Sequence, residues 1–289
     1  MAGEAWREFD AETLESEYDN RAAVPGCMDM IAAWQAASAA YRGRANAELD
    51  VAYGESTGET LDLFLPEAAG GPVHIFIHGG YWRLLDKGDF SYLAEPLVAA
   101  GAAVAMTNYA LCPEVTVTEI VRQQRAASAW LWRNAAEFGA DPNRIHISGH
   151  SAGGHLVAML MATDWPAFGD DLPVDLVKSG IAISGVFELE PLLGVSMNSD
   201  LRMDEAEALA NSPALLSPAT DAPLVVCAGA GELGEFTRQS RDFAADWKAK
   251  GAAVEHFELP GADHFTIVDG MASPDDPLTQ VILKQMDLG

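Results

Sequence analysis

Along the chain, short runs of apolar residues alternate with stretches in which apolar positions recur every three or four residues. The first pattern predicts buried strands and the second predicts amphipathic helices. Residues 10–46 predict a helical N-terminal extension, with Met30, Ile31 and Trp34 as its apolar contacts. Residues 48–53 and 60–65 predict two strands joined by a Gly-containing turn, and 72–77 (PVHIFI) is apolar enough for a central strand. A helix around 89–100 and a strand at 102–107 follow. Residues 117–138 predict a long helix with Ile120, Val121, Gln124, Ala127, Leu131 and Phe138 on one face. Ile145 and Ile147 mark a strand that opens after Asp141-Pro142-Asn143; Leu156, Val157, Leu160 and Met161 then recur at helical spacing. Strands at 181–187, 222–229 and 253–259 and helices at 235–249 and 277–288 complete the series.

Strands that alternate with helices predict an α/β fold, a mostly parallel sheet covered by helices on both faces. The pattern fits a single domain of 289 residues, without repeats or low-complexity linkers. Residues 188–220 are too long for a plain loop and predict a small lid or cap. In such sheets ligands meet the carboxyl ends of the strands.

Composition narrows the partners. Asp and Glu number 43 against 17 Lys and Arg, a formal net charge of −26, which argues against nucleic acid and anionic membranes. An ordinary solvated surface explains that charge better than adaptation to salt, since the apolar positions are unexceptional. The acidic N-terminus carries no apolar signal region, and no apolar run reaches membrane-spanning length. Cys27, Cys112 and Cys227 are odd in number and far apart, and no Cys/His pair has zinc spacing. These features predict a reducing, cytoplasmic setting.

The chemistry centres on Gly149-His150-Ser151-Ala152-Gly153, a G-x-S-x-G pattern between a strand and a helix. A turn that tight excludes side chains at Gly149 and Gly153, and it lifts Ser151 clear of the fold near the positive end of the helix. A serine hydroxyl needs a base, and the base needs an orienting acid, in the chain order Ser, acid, His. His264 lies in a Gly-containing loop after the last strand, whereas His256 lies inside that strand; His264 is therefore the expected base. Glu232 sits in the loop after strand 222–229, while Glu235 starts a helix, so Glu232 is the expected acid and Glu235 its rival. Backbone amides of Gly79, Gly80, Tyr81 and Ala152 are the expected oxyanion donors. His78 is expected to hold that loop. Tyr81 and Trp82 are candidate substrate contacts, with Trp82 equally readable as a structural anchor. Gly229-Ala230-Gly231-Glu232-Leu233-Gly234 also matches the dinucleotide pattern G-x-G-x-x-G, with Glu258 as its acid, but too little sheet follows for a nucleotide-binding half.

With these residues in view, the chain resembles the esterase/lipase branch of the α/β-hydrolases and, more closely, the kynurenine formamidase (arylformamidase) group. The matching segments include EYDNRAAVPG (17–26), HGGYW (78–82), NYALCPE (108–114), SGVFELEPLL (184–193), DEAEALANSP (204–213) and GELGEFTRQS (231–240), besides the serine region at 139–155. The resemblance supports Ser151, Glu232 and His264. It implies the α/β-hydrolase fold, no cofactor or metal, and a small-molecule ester or amide substrate such as N-formylkynurenine. Most relatives carry Asp where this chain has Glu232. A short-chain carboxylesterase is the nearest alternative activity, and an inactive binding protein of the same fold is the alternative from another class. The pattern leaves a homodimer and a monomer equally open.

Overall fold

The computed structural model describes residues 5–289. Eight strands form one sheet: β1 (Ala47–Ala52), β2 (Thr60–Phe64), β3 (Val73–Ile77), β4 (Ala103–Thr107), β5 (Ile145–His150), β6 (Val177–Ile183), β7 (Leu224–Gly229) and β8 (Val254–Leu259). Their order is β1-β2-β4-β3-β5-β6-β7-β8. β1 pairs antiparallel with β2, and β2 with β4; every pair from β4 to β8 is parallel. This is the mostly parallel sheet expected from the strand–helix alternation.

Side chains of β3 alternate between two cores, with Val73, Ile75 and Ile77 on one face and Phe76 on the other. Helices Val117–Asn134, Ala152–Met161 and Gly234–Ala249 cover the first face. Cys27–Arg42, Ala94–Ala99 and Pro277–Gln285 cover the second. Both faces are covered, which is why the central strands are apolar at nearly every position.

Three segments sharpen the expected pattern, and one of them, the strand at 181–187, departs from it. The N-terminal stretch is helical in three pieces, Ala11–Ser16, Asn20–Ala23 and Cys27–Arg42, and the second break falls at Pro25 and at Gly26, which has φ of 84°. Ile31 and Trp34 are buried, and Met30 is partly so. The strand expected at 181–187 runs instead over Val177–Ile183, because Ser184 turns the backbone at φ 52°. Val186 and Phe187 stay buried without pairing in the sheet, so their hydrophobicity imitates a strand. Residues 188–220 fold into short helical turns, among them Glu190–Gly194, Asn198–Leu201 and Glu205–Ala210. No helix among the described residues is long and apolar enough to cross a membrane.

The sheet and its neighbours hold several neutral histidines. His74 shares a hydrogen bond with Ser148 Oγ (2.8 Å) and His146 one with Ser179 Oγ (2.8 Å). Burial lowers His74 from 6.5 to about 3 and His146 and His155 to about 4, and it also pushes His78 and His150 down. The unfolded chain takes up these protons near 6.5 and the folded chain only near 4, so the unfolded state gains protons in between. The stability they support is complete above that upper value and is lost as pH falls, by up to ~1.4 kcal/mol per pH unit for each histidine. The urea midpoint is therefore expected to drop steeply between about pH 7 and about pH 5, before most carboxylates titrate. A flat midpoint across that window would contradict neutral burial.

Candidate active site

Ser151 follows β5 and stands at the N-cap of the Ala152–Met161 helix with φ 57° and ψ −118°. That conformation is strained for a residue with a side chain and persists only when its surroundings enforce it. The Ser151 amide donates to the Ile183 carbonyl at 2.8 Å. On the other side the helix lies directly on the end of β3, where a Cβ on Gly153 would stand 2.0 Å from the Ile77 carbonyl oxygen. Ser151 clears the sheet as expected, but it is not open to solvent: it is only 3% exposed. The N-terminal helices roof it.

Loops after β7 and β8 bring two more side chains to this point. His264 Nε2 lies 3.1 Å from Ser151 Oγ, and His264 Nδ1 lies 2.7 Å from Glu232 Oε2. The other carboxylate oxygen, Glu232 Oε1, accepts from the Ser184 hydroxyl at 2.5 Å and from the Gly229 amide at 2.6 Å. Three donors on one buried carboxylate fix its orientation. The imidazole packs against Phe236 at 4.8 Å and His150 at 4.7 Å. His150 Nε2 in turn donates to the His264 carbonyl at 2.8 Å. Burial and the neighbouring His264 keep His150 neutral, well below its ordinary value. It ties the His264 loop to the serine turn.

Glu235 goes elsewhere. It pairs with Arg238 (Nε–Oε1 2.8 Å) and accepts from the Tyr18 hydroxyl at 2.9 Å. His256 stays on β8, half buried, and only His264 reaches Ser151. The Gly229–Gly234 loop serves to deliver Glu232, whose carboxylate captures its own loop's Gly229 amide.

The loop after β3 approaches Ser151 from the opposite side. Gly80 has φ of 110°, and a Cβ there would meet the Leu84 carbonyl at 2.0 Å. Among the described residues, the amides of Gly79, Gly80, Tyr81 and Ala152 donate to no protein acceptor. His78 Nδ1 lies 2.7 Å from the Gly79 carbonyl and Nε2 3.0 Å from Asn108 Oδ1, and the ring, which donates to one of them, stacks on Tyr109 at 4.3 Å, so it holds the loop as expected. Tyr81 lines the cavity and donates its hydroxyl to the Tyr18 carbonyl at 2.9 Å. Trp82 does not line the cavity. Its backbone, at φ 56°, is followed by a fully buried indole set edge-on to His155 at 5.0 Å, which makes it an anchor in the core.

The cavity above Ser151 measures about 150 Å³. Trp34, Phe90 and Phe265 supply aromatic walls, Ser196 and Met197 come from the 188–220 segment, and Tyr18, Asp19 and Asn20 come from the N-terminal segment. The last group is what the sequence pattern missed. The sequence signal was the EYDNR run at 17–21, whose polar density is unusual for a helix meant only to pack. Among the described residues, no cluster of three or more His, Cys, Asp or Glu side chains is placed to hold a metal ion.

Known proteins extend this picture. A family model described as BD-FAE matches residues 61–186. The kynurenine formamidase of Salmo salar is 30% identical over 97% of this chain and 98% of its own. A protein named as a candidate thioesterase from Silicibacter sp. TM1040 superposes with a TM-score of 0.84 at 34% identity, over 93% of this chain and 98% of its own. A thermostable carboxylesterase from a metagenomic library shares the fold at a TM-score of 0.67 and 20% identity, over 91% of this chain and 96% of its own. Full-length similarity of this kind, on a mostly parallel sheet with a strand–serine–helix turn, means that the chain belongs to the kynurenine formamidase family of α/β-hydrolases.

Proposed function

We propose that this hydrolase works through Ser151 as nucleophile, His264 as base and Glu232 as orienting acid, on aryl formamides or short-acyl aryl esters. The observation that carries the reading is the continuous Ser151–His264–Glu232 hydrogen-bond chain, 3.1 and 2.7 Å long, at the floor of the cavity. His264 Nε2 takes the hydroxyl proton as Ser151 Oγ bonds to the substrate carbonyl carbon. The oxyanion rests on amides from Gly80, Tyr81 and Ala152, with Gly79 beside them. The imidazolium then gives its proton to the departing arylamine or aryloxide as the carbonyl–heteroatom bond breaks. Water, deprotonated by the same imidazole, attacks the acyl-enzyme and releases the acid.

The cavity supports the small acyl group and the aromatic leaving group, because its walls are aromatic and its volume is about 150 Å³. Residues 188–220 act as a cap in this reading, through Ser196 and Met197. N-Formylkynurenine fits both halves of the description.

The test is a p-nitrophenyl ester series from acetate to palmitate, run beside N-formylkynurenine. kcat/KM is expected to fall steeply beyond about four acyl carbons, each misfit costing on the order of 1–3 kcal/mol. A maximum at decanoate or longer would overturn the small-acyl claim. Ester turnover without formamide turnover would leave a short-chain carboxylesterase. Absence of fluorophosphonate labelling at Ser151 would leave an inactive binding protein.

A further inference from the structure

Three consecutive residues of the loop after β3, Gly80, Tyr81 and Trp82, hold positive φ values of 110°, 50° and 56°. For Tyr81 and Trp82 this conformation is strained, and it stands only while neighbouring groups enforce it. The body of the fold holds both ends of the run. On one side the Tyr109 hydroxyl donates to the His78 carbonyl at 3.0 Å. On the other, Trp82 is buried and its carbonyl accepts from the Cys112 amide at 2.8 Å. Tyr81, between them, is held from above. Its hydroxyl donates at 2.9 Å to the carbonyl of Tyr18, which lies 63 residues earlier, in the N-terminal roof. Burial pushes this phenol well above its ordinary value, so it remains a donor across neutral pH.

Tyr18 is itself firmly seated. Its hydroxyl donates to Glu235 Oε2 at 2.9 Å and accepts from Gln239 Nε2 at 2.9 Å. Its ring meets Phe236 at 6.2 Å, and Phe236 meets the His264 ring at 4.8 Å. One roof residue therefore touches the loop after β3 through its carbonyl and the packing neighbour of His264 through its ring.

We propose that the Tyr81 hydroxyl is a positioning group that makes the oxyanion donors depend on the seated roof. With Tyr18 in place, the Tyr81 backbone keeps its positive φ and its amide stays aimed at the reacting carbonyl; with that link broken, the loop relaxes and the donors lose their alignment. The inference rests on the reading of Ser151 as nucleophile and of the Tyr81 amide as an oxyanion donor. It adds that chemistry needs the roof as well as the three side chains of the relay. A wall residue and a positioning residue give different kinetics. A lost wall contact weakens ground state and transition state alike and raises KM, whereas a misplaced oxyanion donor lowers kcat.

The experiment measures Tyr81→Phe and Tyr18→Phe, singly and together, on p-nitrophenyl acetate, with each fold checked by a melting curve. In Tyr81→Phe, kcat is expected to fall by about tenfold with KM within about threefold of the wild-type value. Phenylboronic acid, which forms a tetrahedral adduct on a serine, is expected to bind more weakly by a similar factor. Tyr18→Phe removes the two polar anchors that seat the carbonyl, so kcat is expected to fall in the same way. The double variant is expected to be no slower than the slower single variant, because both changes break one link. If Tyr81→Phe does not fold, Tyr18→Phe gives the same readout. An unchanged kcat with a raised KM would overturn the proposal, and so would losses that multiply in the double variant. Failure of the Ser151 reading has a separate signature, namely no fluorophosphonate labelling of the wild-type protein.

Discussion

Replacing Ser151 with alanine is expected to lower kcat by a factor on the order of 10⁶, because the members of such a relay act as a unit and removing one disables the rest. The thermal midpoint should change little. Ser151 is buried, so the hydroxyl is not free of context, yet its only side-chain partner is His264 Nε2 at 3.1 Å. Alanine also keeps the positive φ no worse than serine does. The check is burst and steady-state kinetics on p-nitrophenyl acetate together with a melting curve. Retention of a tenth of the activity would remove Ser151 from the mechanism.

Glu232→Gln and Glu235→Gln are expected to give opposite signatures. In Glu232→Gln the amide oxygen keeps the Ser184 and Gly229 donors, which sends the NH₂ toward His264 Nδ1. That ring nitrogen must then accept, so Nε2 carries the hydrogen and cannot take the serine proton; kcat should fall by about 10⁴. Glu235→Gln removes the charge that pairs with Arg238 and accepts from Tyr18. Arg238 keeps Glu188 at 2.7 Å, so the expected result is a lower melting temperature with activity within about tenfold. The reverse ranking in kinetics would move the acid to Glu235.

These two glutamates also illustrate what the sequence made legible. Glu232 was distinguishable because it sits in a loop after a strand, where side chains project over the carboxyl edge, whereas Glu235 already belongs to a helix. The order of strands and helices was legible for the same reason: periodicity is local. The end of β6 was not, because Val186 and Phe187 are buried by packing rather than by pairing, and hydrophobicity alone does not separate the two. The inward turn of Trp82 depends on three consecutive positive φ values from Gly80 to Trp82, which no side-chain pattern announces. The roof over Ser151 was hidden for a further reason. Tyr18 meets Glu235 across 217 residues, and helical spacing in residues 10–46 says only that one face is covered, not by what.

That roof has a consequence for how new specificities arise in this fold. The residues that cross the mouth of the cavity from the N-terminal side, Glu15 and Tyr18 to Arg21, form one short stretch of chain, while the bond-breaking groups come from the distant turn and loops at Ser151, Glu232 and His264. Its moorings to the body are identifiable: Glu15 to Ser196, Glu17 to the Glu235 amide, and Tyr18 to Tyr81, to the Glu235 carboxylate and to Gln239. The stretch is therefore a natural cassette. Grafting it between relatives, or randomising it in a library while the mooring residues are kept, should redirect substrate choice and leave the hydrolytic machinery untouched, a route to altered enzymes that begins far from the active serine in sequence and directly above it in space.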